Sequence, residues 1–326
     1  MSDVTSTVPV RRRPAVFALP LHNRFRGITV REGVLLRGPA GWGEFNPFRD
    51  YTDAEAAPWL AAAREASDDG WPEPLRDTVE VNTTVPVVTP ERAHAMVAAS
   101  GCRTAKVKVA DPRSSLADDC RRVEAVRDAL GPHGAIRVDA NAAWDVDDAV
   151  AALRELDRAA QGLEYAEQPC PTVDELAAVR RRVAVRIAAD ESIRRAEDPL
   201  RVAVAGAADV AVLKVAPLGG VRRALDVAEA CGLPCVVSSA VDSSVGLAAG
   251  LALAGALPTA EFACGLGTAS LLTADVTSTP LSPVDGRLSV PRTAPEPDLI
   301  TEHAADDDTT RWWHDRLDRV TALAGG

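Results

Sequence analysis

Eight short apolar runs recur along most of this 326-residue chain, and their spacing limits the fold more than any other feature. They are Val81 to Val88, Thr104 to Val109, Ala135 to Asp139, Leu163 to Glu167, Val185 to Asp190, Asp209 to Val215, Leu233 to Ser238 and Thr259 to Ala263. Successive runs begin about 22 to 31 residues apart, the beat of a strand followed by a helix. Amphipathic stretches rich in Ala and Arg fill the gaps, among them Ser115 to Leu130, Asp145 to Leu156, Thr172 to Arg182 and Gly220 to Cys231. Pro171-Thr172-x-x-Glu175 is a capping box that opens one of them. Eight such repeats predict an α/β fold over residues 81–290, a closed (β/α)8 TIM barrel rather than an open sheet.

Residues 1–80 follow another pattern. Arg26 to Leu36 alternates as antiparallel strands do, Gly38-Pro39-Ala40-Gly41 is a turn, Trp42-Gly43-Glu44 extends the sheet, and Asp53 to Ala66 reads as a helix. This predicts an α+β capping domain. Residues 291–326 are acidic and then amphipathic from Thr309 to Leu323, with Trp312 and Trp313 as packing anchors, and are expected to fold back on the cap.

Composition matters most in one respect. Of 36 Lys plus Arg, three are lysines (Lys106, Lys108 and Lys214), which leaves 33 arginines. Guanidinium stays charged at any accessible pH, so Arg cannot replace a lysine whose amine must lose its proton. All three lysines lie in apolar, strand-like runs instead of on helix surfaces, which favours function over chance survival.

The working face of such a barrel is where its strands end. Lys106-Val107-Lys108 ends the second run with both amines on one side. Asp139-Ala140-Asn141, Glu167-Gln168-Pro169, Asp190-Glu191-Ser192 and Lys214 end the next four. Three carboxylates converging at one rim repel one another unless a cation sits among them, and all-oxygen ligation suits Mg2+, with Mn2+ as a substitute. A divalent cation on a substrate carboxylate stabilises the charge left when the neighbouring carbon loses a proton. A lysine beside it is the natural base, and Lys214 arrives from across the barrel.

A net charge of −11 argues against nucleic acid or an anionic membrane as partner, and Arg11-Arg12-Arg13 is too short to change that. The longest apolar run, Val245 to Leu257, is too short to span a bilayer, and no signal peptide is evident. Six scattered cysteines read as reduced thiols of a cytoplasmic protein, with Cys231-x3-Cys235 only a weak metal signal. The expected partner is a small carboxylate. Monomer and homo-oligomer both stay open.

Together the strand-end motifs resemble those of the enolase superfamily, in its muconate-lactonizing subgroup, over nearly the whole chain. Within the subgroup the chain looks most like the o-succinylbenzoate synthases of menaquinone biosynthesis. That likeness rests on Phe25-Arg26-Gly27, Gly41-Trp42-Gly43-Glu44-Phe45, Arg137-Val138-Asp139-Ala140-Asn141, Ser238-Ser239-Ala240 with Gly246-Leu247, and Cys264-Gly265-Leu266-Gly267-Thr268. It implies Asp139, Glu167 and Asp190 as metal ligands. Lys108 would be the base that starts and completes a syn dehydration of 2-succinyl-6-hydroxy-2,4-cyclohexadiene-1-carboxylate. Lys214 would stabilise the enediolate, and Lys106 would lower the pKa of Lys108 and touch the substrate carboxylate. Arg137, Asn141, Ser239, Gly265 and Leu266 are the expected substrate contacts, under a capping loop around residues 20–27.

Two-lysine racemases are the nearest rivals, N-succinylamino acid racemase above all. Dipeptide epimerases carry Asp-x-Asp after the eighth strand, where this chain has Cys264-Gly265-Leu266. Mandelate-racemase chemistry needs a His at the end of the seventh strand, and Ser238-Ser239-Ala240 stands there. None of His22, His94, His133, His303 or His314 ends a predicted barrel strand. A non-catalytic barrel that only binds its ligand is a further alternative, disfavoured by the retention of all three lysines.

Overall fold

A computed structural model describes residues 13–194, 200–290 and 293–324. Arg11 and Arg12 of the basic run lie outside the described residues.

The chain opens with an antiparallel sheet of β1 (Ala15–Phe25), β2 (Ile28–Gly38) and β3 (Gly41–Phe45) in that order. Phe25 pairs with Ile28, so the β1–β2 hairpin turns on two residues only, Arg26 and Gly27. Both have positive φ, +47° and +83°, as a type I′ turn demands. Helix α1 (Asp53–Arg64) starts at a capping box of Thr52 and Glu55, and its last turn widens into a π-turn at Glu65–Asp69.

Strand β4 (Thr78–Glu80) leads into the barrel, whose parallel strands are β5 (Thr83–Val85), β6 (Thr104–Lys108), β7 (Ala135–Asp139), β8 (Tyr165–Glu167), β9 (Ile187–Ala189), β10 (Val210–Leu213) and β11 (Cys235–Val237). They pair in chain order, and every pair is parallel. Helices intervene: α2 (Pro90–Ser100), α3 (Leu116–Leu130), α4 (Val146–Ala160), α5 (Val173–Arg180), the short α6 (Glu191–Arg194), α7 (Arg201–Val204) and α8 (Val215–Leu218), then α9 (Val221–Cys231) and α10 (Ser244–Ala256). The Thr172–Glu175 capping box opens α5 as predicted.

The eighth run needs correction. Thr259 to Ala263 forms no strand, and the barrel is closed instead by Cys264, bridged to Val81, and Gly265, bridged to Ser238. Those two residues supply the ladder bonds, Asn82 N to Cys264 O at 2.9 Å and Gly265 N to Val237 O at 2.7 Å. Phe262, within that run, packs edge-on against Tyr165 at 5.9 Å. The molecule is an α/β, (β/α)8-type barrel carrying an N-terminal sheet-and-helix cap.

Strand β12 (Arg287–Ser289) returns to pair with β4, and α11 (Pro297–Glu302) leads to α12 (Asp307–Ala324). Trp313 and Val320 of α12 are buried with Val16, Phe45 and Trp59 of the cap, and Trp313 meets Phe45 edge-on at 6.0 Å. Removing side chains of this size from water is what fixes the tail there. A second apolar cluster joins cap to barrel: Phe17, Leu19 and Leu35 pack on Val241, Val245 and Leu272.

Candidate active site

Strand alternation in β6 turns Lys106 and Lys108 to the barrel interior, opposite Arg137 and Asp139 of β7. Asp139 in turn pairs with Glu167 of β8, so Lys108, Asp139 and Glu167 share the layer at the strand ends, with Lys106 two residues deeper and reaching up to them. Asp190 follows β9, and Lys214 follows β10.

Each lysine holds one acid. Lys106 Nζ donates to both oxygens of Glu167 at 2.9 and 2.8 Å and stands 3.6 Å from Asp139. Lys108 Nζ donates to Asp139 Oδ2 at 2.5 Å and to Asn141 Oδ1 at 2.7 Å. Lys214 Nζ donates to Asp190 Oδ2 at 2.6 Å. Asp139, Glu167, Asp190 and Lys106 are all buried.

The turns that follow these strands set the acids. Asn141 has φ +47°, and its N–H donates to Asp139 Oδ1 at 3.0 Å. Gln168, buried with φ +39°, uses all four of its amide valences. Its Oε1 accepts from Asp190 N (2.9 Å) and Ser192 N (3.1 Å), and its Nε2 donates to Cys170 O (2.9 Å) and Ser192 Oγ (2.7 Å). One side chain thereby ties the Glu167 and Asp190 turns together.

The electrostatics record the crowding. Burial, then the like charge of Asp139, pushes Glu167 up to about 7, with Asp190 adding to the rise. Burial works the same way on Asp139, but the ammonium groups of Lys108 and Lys106 outweigh it and bring that carboxyl down to about 2. Burial opposes the charge on Lys106, yet Glu167 and Asp139 win and hold it above the usual lysine range. Lys106 is therefore a fixed cation here.

Asp139, Glu167 and Asp190 form an all-oxygen donor set of the kind hard divalent cations take. Among the described residues no three His, Cys, Asp or Glu side chains are already drawn together as a cage. The ammonium groups sit on the same oxygens instead. Burial does most to lift Glu167, and the repulsion from Asp139 and Asp190 that adds to it is what a cation among the three acids would relieve, so this donor set fits one.

Above this layer lies a cleft of about 570 Å3. Lys106, Lys108, Asp139, Asn141, Lys214, Ser239 and Gly265 line it. Glu167 and Asp190 lie behind, joined through their lysines. Two expected substrate contacts fall elsewhere. Arg137 points inward one layer deeper, between Glu164 and the carbonyl of Ala263 and over the Tyr165 ring at 4.6 Å, so it is a fully buried part of the barrel core. Leu266 is also fully buried, where its side chain fills the space a Cβ on Gly250 of α10 would need.

Sequence reasoning missed the aromatic wall of Phe48, Tyr51 and Trp59 that the cap lends to the cleft. Its signal was present: aromatics are only 4 % of the chain, yet several cluster between Trp42 and Trp59. Phe25 and Arg26 of the hairpin tip also line the cleft, with the Phe25 ring 5.2 Å from Lys108 Nζ.

Comparison with known proteins settles the family. The model "Enolase C-terminal domain-like" matches residues 89–295, and "Enolase N-terminal domain-like" matches residues 16–67. The chain is 67 % identical to the o-succinylbenzoate synthase of Thermobifida fusca over 276 residues, 85 % of this chain and 86 % of that one. Its identity to the o-succinylbenzoate synthase of Mycolicibacterium smegmatis is 54 % over 325 residues, 98 % and 100 % of the two chains. The chain belongs to the enolase superfamily.

Solved structures agree on the fold of this enolase-superfamily chain. Muconate lactonizing enzyme from Pseudomonas putida aligns with TM-score 0.74 at 21 % identity, covering 90 % of this chain and 98 % of that one. The L-Ala-D/L-Glu epimerase of Bacillus subtilis aligns with TM-score 0.72 at 24 % identity, covering 86 % and 97 %. Superfamily membership brings a divalent metal and a small-molecule substrate. Among the described residues, no helix is long and apolar enough to cross a membrane.

Proposed function

We propose that the protein is an o-succinylbenzoate synthase, a hydro-lyase that dehydrates 2-succinyl-6-hydroxy-2,4-cyclohexadiene-1-carboxylate to 2-succinylbenzoate in menaquinone biosynthesis. The observation that carries this reading is identity of 54–67 % with two proteins of that name over most of each chain. The strand-end lysines and acids supply the chemistry it needs.

Asp139, Glu167 and Asp190 would hold the cation, Mg2+ with Mn2+ as a substitute. When bound, it supplies Lewis-acid stabilisation of the charge that builds on the substrate carboxylate. Lys108, oriented by Asn141, takes the α proton on its amine, and the C–H electron pair moves into the carboxylate system. That pair returns to expel the hydroxyl on the same face, and the Lys108 ammonium protonates it as it leaves as water. Lys214 stabilises the developing charge electrostatically from its own strand end, and Lys106 holds the carboxylates in place. Asn141, Ser239 and Gly265 line the space the substrate occupies. A reducing, cytoplasmic setting accords with six free thiols.

Racemisation is the second reading, favoured by ammonium groups from two separated strands lining one cleft. Ultraviolet absorbance separates the two. With Mg2+ and the cyclohexadiene substrate, the diene band should vanish rapidly and persist when a chelator is added. A band unchanged with Mg2+, alongside α-proton exchange on N-succinylamino acids, would transfer the assignment to racemase.

A further inference from the structure

Lys108 is the last residue of β6, and the peptide bond that leaves it is held at both ends. Its carbonyl oxygen accepts from Arg122 Nη2 at 3.2 Å, and the N–H of Val109 donates to the carbonyl of Asp139 at 3.1 Å. The chain then turns at Ala110, whose φ of +62° is a conformation that a residue with a Cβ enters only at a cost. Asp119 of α3 holds that step. Its Oδ2 accepts from Ala110 N at 2.8 Å, and its Oδ1 accepts from the Ser114 hydroxyl at 2.9 Å. Arg122 Nη2 donates to the same Oδ1 at 2.5 Å. One ion pair therefore grips the turn on both sides, at the Lys108 carbonyl and at the Ala110 amide.

Asp119 and Arg122 are neighbours on one face of α3, and each side chain is only 2 % exposed. Neither lines the cleft. An ion pair buried this deeply gains little over apolar side chains of the same volume, so stability alone does not call for it. Apolar side chains could not, however, hold a carbonyl and an amide of one turn. The Lys108–Val109 peptide sets the direction in which the Lys108 side chain leaves the backbone. A lysine side chain is a long lever, and a small rotation of that peptide would carry the amine beyond the tolerance of about 0.5 Å that catalysis allows.

We propose that Asp119 and Arg122 are positioning residues for the reaction: by clamping the turn that leaves β6 they aim the Lys108 amine at the substrate's α proton. This rests on the o-succinylbenzoate synthase reading, in which Lys108 is the base.

The test is the diene assay on the Mg2+-loaded protein, read as kcat and KM separately, with a Mg2+ titration and a denaturation curve for each variant. Asp119→Asn combined with Arg122→Met removes both charges, so that neither is left buried alone. Its kcat should fall about 10- to 100-fold, the cost of misplacing a reacting group by about 1 Å. KM and the Mg2+ dissociation constant should change less than about threefold. Asp119→Asn alone keeps an oxygen for the Ala110 N–H and should lose less kcat, and it carries the test if the double variant does not fold. Because a single nitrogen of Arg122 makes both contacts, Arg122→Lys can reproduce them and should keep most of the wild-type rate. With substrate deuterated at the α carbon, the isotope effect on kcat should be no smaller in the slowed variants than in wild type, because the slowed step is C–H cleavage. Wild-type kcat in the folded Asp119 variants, a fall in kcat matched by an equal loss of Mg2+ affinity, or a smaller isotope effect refutes the clamp while the lyase reading stands. A wild-type protein that leaves the diene intact overturns the lyase reading instead. The same variants are then read by α-proton exchange on N-succinylamino acids, where exchange at the wild-type rate refutes the clamp and slowed exchange supports it.

Discussion

Lys108 is the residue on which the chemistry turns, because it joins a carboxylate, an amide and the open cleft. Arginine there would keep the positive charge against Asp139 but could not give up a proton at any working pH. Lys108→Arg should therefore cut turnover by roughly 10^2- to 10^4-fold, the usual worth of a general base, while unfolding as wild type does. The diene assay with a denaturation curve checks both, and activity within a few-fold of wild type would remove Lys108 as the base. These lysines were legible because the chain otherwise uses arginine so consistently. Arg137 shows where that legibility ends. The resemblance implied it as a substrate contact, but it stands two residues below Asp139 on the same face of β7, fully buried among core side chains. Leu266 fails for a related reason: its neighbour Gly265 lines the cleft, while Leu266 itself packs on α10.

At the level of elements, seven barrel strands were readable because apolar runs recur at a regular spacing and most of them close on a polar strand end. The eighth was not, since two residues suffice to close the ladder and two residues have no periodicity. Short elements of this kind are fixed by their neighbours. The same holds for β3, whose Gly-Trp-Gly-Glu-Phe stretch looked like a motif before it had a reason. The reason at Gly43 is close approach: a Cβ there would stand 1.9 Å from the Ala63 carbonyl oxygen of α1. Strand and helix backbone are in direct contact, and neither side has a flexible atom that can yield. Gly43→Ala should destabilise the protein by about 1–3 kcal/mol or more, as overpacking does. Its denaturant midpoint should fall accordingly, whereas Gly41→Ala, with open space around its Cβ, tests backbone strain alone at φ +145°. Equal midpoints for Gly43→Ala and wild type would mean that β3 and α1 can separate without cost.

Across the whole molecule, function depends on cap and barrel holding one relative position, since the cap supplies Phe25, Arg26 and the aromatic wall of a cleft whose floor is barrel. The joint is polar as well as apolar. Glu44 of β3 accepts from Ser243 N (3.2 Å), from the Ser243 hydroxyl and from Gly246 N (3.1 Å), at the start of α10. Asn46 Nδ2 bridges Glu44 (2.5 Å) to Asp242 (3.0 Å), and Arg31 donates to the carbonyl of Val241 at 3.2 Å. Val241 is a β-branched residue at φ +62°, held there beside the cleft by cap residues some two hundred positions earlier. No local pattern could have announced that pairing. Burial first, and then the negative charge of Asp242, pushes Glu44 up to about 8, with Arg31 and the Ser243 hydrogen bonds pulling the other way. A carboxyl whose folded pKa exceeds its unfolded value of 4.5 stabilises the fold most when protonated. Its contribution is complete below pH 4.5 and lost as pH rises through about 8. Thermal unfolding of wild type and Glu44→Gln at intervals from about pH 5 to 9 isolates this group, because the amide does not titrate. The wild-type melting temperature should fall relative to that of the variant as pH rises, and parallel curves would show that Glu44 enters the joint already charged.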